Sequence, residues 1–171
     1  GVSSPPAEGP VKKEGDLRSP AGIFELGGVY GTVPVPKKKR SMPYRRITPR
    51  DMWVDDPSSP LYNQHFVLKH DPVTPWEFKQ QMKLNDYAHS LKLFIRHNAA
   101  GDQGHPVAGG GSSIFFHIWR RDGQAPTAGC TAMSEENLRA MIAWLDPSKH
   151  PLYVLLPSRE YLRLRKAWGL P

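Results

Sequence analysis

A mostly β domain with a few peripheral α-helices is the fold class this sequence predicts, and three observations predict it. Its 18 prolines and 15 glycines are spread through all 171 residues, which divides the chain into many short elements joined by turns, as strands allow and a helical bundle does not. Two apolar stretches, 91–97 and 114–119, have the length and patterning of strands. Apolar residues make up 39% and aromatics 10% of the chain. A single domain of this size hides roughly two-thirds of its unfolded surface and needs no metal or disulfide staple.

Taken in order, residues 1–10 are expected to be a flexible tail and 11–171 one domain. The opening Gly1-Val2-Ser3-Ser4-Pro5-Pro6 shows no signal-peptide pattern, as in a processed chain, and no apolar run approaches the ~20 residues of a membrane-spanning helix. Residues 31–60 read as long loops broken by six prolines, from Pro34 to Pro60. Thr74-Pro75-Trp76-Glu77 supplies a cap, a proline at the first helical position and a glutamate three after the cap, so a short helix is expected to about Leu84. Leu91, Leu93 and Ile95 alternate with Lys92, Phe94 and Arg96, a half-buried strand whose leucine face also takes His97. Ile114 to Trp119 is a second strand, apolar except at His117. A loop over 120–129 turns at Asp122-Gly123. Ser134 caps a helix with Glu135 and Glu136 in its first turn, and Leu138, Met141, Ile142 and Leu145 form its core-facing stripe up to Pro147. Leu152–Leu156 is a third strand, and 158–168 a last helix stopped by Gly169.

The formal charge is +7, which favours an anionic partner such as nucleic acid, phospholipid or an acidic wall polymer and does not choose among them. The basic run Lys37-Lys38-Lys39-Arg40 lies between prolines and reads as a solvated loop. No nucleic-acid fold motif is present. Seven histidines raise a zinc hydrolase, but no His-Glu-x-x-His occurs, and no metal or cofactor site is expected. Gly109-Gly110-Gly111-Ser112-Ser113 lacks the Gly-Lys-Ser/Thr ending of a phosphate loop and precedes an apolar strand.

Two features stand apart from the scaffold. His117 is embedded in an apolar strand, where a buried imidazole needs a partner for each ring nitrogen. Cys130, the single cysteine, follows Gly129 and precedes the capped helix. Small residues there let backbone N–H groups converge as an oxyanion hole, and helix-terminal amides would favour the thiolate. Each has an ordinary reading, a backbone-satisfied core histidine and a small buried hydrophobe. Together, 13 residues apart across one turn, they form the minimal activated nucleophile of acyl transfer if a hairpin-like return brings them side by side.

The stretch Gly111-Ser112-Ser113-Ile114-Phe115-Phe116-His117, followed by Pro126-Thr127-Ala128-Gly129-Cys130, resembles the active-site segment of the YkuD-type L,D-transpeptidase catalytic domain family. Lys13-Glu14-Gly15-Asp16 with Ser19-Pro20-Ala21-Gly22-Ile23-Phe24, and Asp55-Asp56-Pro57 through Tyr62-Asn63, are similar to further family segments, so the likeness spans about 11–157. Two positions depart from it: Ala128 stands where the family has a histidine before Gly-Cys, and Ala132 where it has Asn or Arg. The resemblance implies a β-sandwich-like fold and a bacterial, periplasmic enzyme on peptidoglycan stem peptides, donor and acceptor, with carbapenem-type β-lactams as inhibitors. It implies Cys130 as the nucleophile that forms a thioester and releases a D-amino acid, and His117 as acid and base, oriented by the Ile118 carbonyl. The Gly129 and Cys130 N–H groups would hold the oxyanion. Candidate substrate contacts are Trp53, Tyr62, Asn63, Arg96, His97, Asn98, Trp119, Arg120 and Thr127; Arg96 or Arg120 suits a carboxylate clamp. The alternatives are an L,D-carboxypeptidase using the same pair, and a non-enzymatic basic wall-binding module.

Overall fold

The computed structural model describes residues 10–35, 41–99 and 104–171. The basic run 37–40 and residues 1–9 of the expected tail lie outside the described residues. The framework is strands in mixed sheets with three short helices. A long strand β1 (Gly22–Gly31) is its spine. The first half of β1 pairs antiparallel with β8 (Leu152–Leu155), and its second half lies between β2 (Tyr44–Arg46) and β5 (Leu91–Ile95). The sheet continues from β5 to β6 (Phe115–Ile118) and β7 (Thr131–Met133), in the order β2-β1-β5-β6-β7. A separate hairpin joins β3 (Asp51–Trp53) to β4 (His65–Val67). Among the described residues no helix is long and apolar enough to cross a membrane.

β1, β2, β3 and β4 occupy stretches that the sequence pattern leaves as loops or unassigned. The register of β1 breaks between Leu26 and Val29, at Gly27-Gly28, so neither half shows a clean alternation. Gly27 is there because the chain crosses tightly: a Cβ would meet the Phe94 ring at 2.7 Å. The three-residue strands β2, β3 and β4 are too short to leave a period in sequence.

β5 is buried along its whole length and is not half-buried. Leu91, Leu93 and Ile95 join Val29, Phe116 and Ile118 on one face, under Leu138, Ile142 and Leu145 from the stripe of α2 (Glu135–Trp144). Phe94 and Phe115 face the other way, into an aromatic cluster with Trp53, Ile47 and Met82. Trp53 lies 4.4 Å from Phe94 and 4.9 Å from Phe115, ring centre to ring centre, and large rings of this kind dominate the burial energy of a small core. Both faces are therefore covered, by α2 on one side and by the β3–β4 hairpin region on the other. Polar Lys92 and His117, opposite each other in the β5–β6 register, belong to the second face. A one-residue slip would move them under α2, so the hydrophobic pattern of the first face fixes where they point.

The helix α1 (Pro75–Gln80) has the expected capping box at Thr74 and Glu77, but it stops at Gln80, because Gln81 turns extended and bridges to Met52. The last helix, α3 (Ser158–Leu164), is also shorter than its pattern. The connection 119–130 is no hairpin: β6 and β7 run parallel, so this stretch is a crossover.

Candidate active site

The parallel pairing of β6 with β7 sets Phe116 beside Thr131 and His117 beside Ala132. Cys130 therefore enters the sheet edge next to Phe115, two residues along the strand from His117 and on the same side of it. Its Sγ accepts a hydrogen bond from the Phe115 N–H (3.4 Å) and donates to the Ser113 carbonyl (3.3 Å). Cys130 as a residue is half-buried, with its sulfur set inward against these backbone groups. Its resting partners are these two backbone groups and not the imidazole. Burial pushes its pKa up, while the Phe115 hydrogen bond and the charges of Lys92 and Arg120 pull it down without cancelling burial, so the resting group is a thiol. The α2 N-terminus does not supply the expected help. β7 intervenes, and the Asn137 N–H of the first turn is spent on Ser134 Oγ, which accepts it as the cap.

His117 is 2% exposed. Its Nδ1 lies 2.7 Å from the Ile118 carbonyl, which can only accept, so Nδ1–H donates and the lone pair is on Nε2. Burial lowers its pKa, so the ring is neutral near neutral pH. His89, from the one-turn helix Tyr87–His89, stacks on it at 4.7 Å and 26°. Burial, aided by the charge of Lys92, holds His89 down to about 3, so the two stacked rings do not carry like charges.

The backbone before Cys130 requires glycine. Gly129 has φ +133°, and a Cβ there would sit 2.7 Å from the Arg18 carbonyl. Thr127 braces the same turn: its Oγ1 donates to the Cys130 carbonyl (2.7 Å) and accepts from the Gly129 N–H (3.2 Å). One of the two expected oxyanion donors is thus already engaged at rest.

The remaining nominated residues fall into three places. Trp53, Tyr62, Asn63, His97 and Asn98 form one hydrogen-bonded block. Asn63 Oδ1 accepts from the Trp53 indole (2.9 Å) and the Ser113 N–H (3.1 Å), and its amide donates to the carbonyls of His97 and Asn98. This block holds Ser113, and through it the thiol. Tyr62 donates to Glu14 and accepts from the Gly111 N–H, which ties the N-terminal segment across the glycine loop. His97 lies beyond the end of β5 and donates to the Gly110 carbonyl. Arg96 pairs with Glu25 at 3.3 Å. The Arg120 fork is taken by Asp86, whose other oxygen caps the turn carrying His89. Trp119 stays partly exposed beside Gly123.

Sequence reasoning missed Lys92, His89 and Gln80. All three line one cavity with Trp53, Met82, Ser113 and Phe115. Lys92 looks like the solvent-facing member of an alternating strand, and only the burial of both faces of β5 makes it unusual. Among the described residues no three or more His, Cys, Asp or Glu gather as metal ligands.

The family model of the L,D-transpeptidase catalytic domain, YkuD, matches residues 2–154. No curated protein and no solved structure is a match.

Proposed function

Because the chain belongs to the YkuD family of L,D-transpeptidase catalytic domains, we propose that it is a cysteine acyltransferase acting on peptidoglycan stem peptides outside the cytoplasmic membrane. The observation that carries the reading is the state of His117: neutral, with Nδ1–H fixed by the Ile118 carbonyl and the lone pair on Nε2, two residues in register from Cys130. A neutral base beside a protonated nucleophile is the resting state that general-base activation needs.

In the first half-reaction the thiol leaves the Ser113 carbonyl and gives its proton to His117 Nε2. Sulfur attacks the stem carbonyl, the C–S bond forms, the C–N bond to the terminal D-amino acid breaks, and His117 returns the proton to the departing amine. In the second, an acceptor amine attacks the thioester, loses its proton to His117, and the thiolate leaves and is reprotonated. The Cys130 N–H, joined by the Gly129 N–H as it exchanges Thr127 for the developing oxyanion, stabilises both tetrahedral intermediates. Carbapenem-type β-lactams, which present a strained carbonyl to the same sulfur, are expected to acylate Cys130.

The test is incubation with purified sacculi followed by muropeptide analysis and intact-mass measurement of the protein. Cross-linked dimers and a thioester adduct are expected, and Cys130→Ala and His117→Ala each lose about 10³-fold or more in rate, because nucleophile and base act as a unit. Trimmed monomers alone would make the enzyme a carboxypeptidase using the same thioester. Undiminished turnover by Cys130→Ala would end the reading.

A further inference from the structure

A cavity that shares Ser113 and Phe115 with the thiol is lined by polar groups with spare hydrogen-bonding capacity. Lys92 is 4% exposed, and among the described residues its one hydrogen-bond acceptor is the Met82 carbonyl at 2.7 Å. No described carboxylate pairs with it; the Phe115 ring lies 5.6 Å from its ammonium. Gln80 is 2% exposed, its Oε1 accepts from the Asp55 N–H at 2.7 Å, and its Nε2 has no partner among the described residues. Both residues line the same cavity, walled by Trp53, Met82 and Phe115 and bordered by His89 and Ser113. The one carboxylate on the wall, Asp55, pairs with Lys79 at 3.1 Å. A buried cation with spare protons and a buried amide donor without an acceptor are each costly alone. Set on one cavity, they are complementary to an anion with two acceptor oxygens.

We propose that this cavity is a carboxylate-binding subsite, in which Lys92 Nζ and Gln80 Nε2 hold a carboxylate of the acyl donor while the adjoining carbonyl is presented to Cys130. Ser113 and Phe115, the two residues that hydrogen-bond the sulfur, form the shared wall between subsite and nucleophile. The occupant's identity rests on the acyl-transfer reading above. A stem donor offers two such groups: the C-terminal carboxylate of the residue that leaves, and a side-chain carboxylate on the residue whose carbonyl is attacked. Burial holds Lys92 down to about 8, and a bound anion would raise that value again. The same ammonium favours the thiolate, so loss of Lys92 slows every thiol reaction, and the charge preference of the ligand is what separates binding from activation.

The first experiment compares alkylation of Cys130 by iodoacetate and by iodoacetamide, which share a leaving group and differ in charge. The ratio of the two rates is expected to fall on the order of 10-fold in Lys92→Met and several-fold in Gln80→Leu, as charge-assisted and neutral donors differ. In the unaltered protein, acetate and not acetamide protects the thiol. Unchanged ratios in both variants, or equal protection by the two small molecules, overturn the proposal. The protection arm and Gln80→Leu keep it testable should Lys92→Met fail to fold. The second experiment uses stem peptides with the C-terminal carboxylate amidated, or with the side-chain carboxylate removed. The modification that reduces the effect of Lys92→Met to the effect it has on iodoacetamide alkylation identifies the occupant, and an effect larger than that with both modified peptides overturns the subsite. Thioester formation at equal rates in Lys92→Met and the unaltered protein sinks the subsite and leaves the acyl-transfer reading standing. Charge-selective alkylation with no thioester from any stem peptide does the reverse.

Discussion

Two buried polar regions flank the thiol, and they differ in how fully their hydrogen bonds are used. On one side, Asn63 fills all four of its bonding positions, Asn98 donates twice and accepts once, and Tyr62 both donates and accepts. On the other, among the described residues Lys92 has one acceptor and Gln80 Nε2 has none. Saturated groups of this kind hold a shape, because each bond lost strands a partner in a place water does not reach. Groups with spare capacity cost stability at rest, and proteins retain them where a ligand completes them. The difference assigns the first region to holding Ser113 in position and the second to recognition.

The sharpest way to break this contrast is Asn63→Ala. It strands the Trp53 indole, the Ser113 N–H and two carbonyls at once. At roughly 1 kcal/mol or more for each stranded group the loss is about 4 kcal/mol. For a domain of this size that lowers Tm by roughly 10 °C. Thermal melting measures it directly. A drop of only a degree or two would mean that the block is not the brace described here.

Much of this contrast could not be seen in sequence. The capping box of α1, the cap and stripe of α2, strands β5, β6 and β8, and the two residues His117 and Cys130 are short-range patterns, and they could be read directly. β1 could not, because Gly27-Gly28 breaks its register where Phe94 crosses, and β2 to β4 are three residues each, too short to leave a period. Lys92 was hidden for a different reason. An alternating strand implies a wet face, and only the β3–β4 hairpin and Met82 region dry it. The nominated Arg120 was legible as a guanidinium, but its partner Asp86 lies 34 residues earlier, beyond any local pattern.

His89 and His117 are held neutral by burial, His89 down to about 3. The unfolded chain takes up protons below the ordinary imidazole value of about 6.5. The folded chain does not, so between those limits the unfolded state binds more protons and stability falls as pH falls. A loss of ~2 kcal/mol between pH 7 and pH 4 is expected, read by denaturant titration at each pH. His89→Gln should flatten part of that slope. Because Asn63 does not titrate, Asn63→Ala should leave the slope unchanged, and an equal flattening in both variants would dissolve the distinction between the two regions.

The smallest effect has the opposite sign. Lys92 keeps a charge in the core below about pH 8, while the unfolded chain keeps it up to the ordinary lysine value near 10.5. Below both values that burial cost is present in full, and it is relieved as pH rises through the interval. Lys92→Met removes the cost, loses the hydrogen bond to the Met82 carbonyl, and keeps the apolar stem that packs among Phe115 and Met82. The balance is a gain of about 1 kcal/mol at pH 7, shrinking above pH 8. Denaturant midpoints at pH 7 and pH 10 test both the sign and the trend. A stabilised variant that has lost its charge-selective chemistry would show a cation kept for its ligand at a cost to the fold, and a clear destabilisation at pH 7 would move Lys92 into the same bracing role as Asn63.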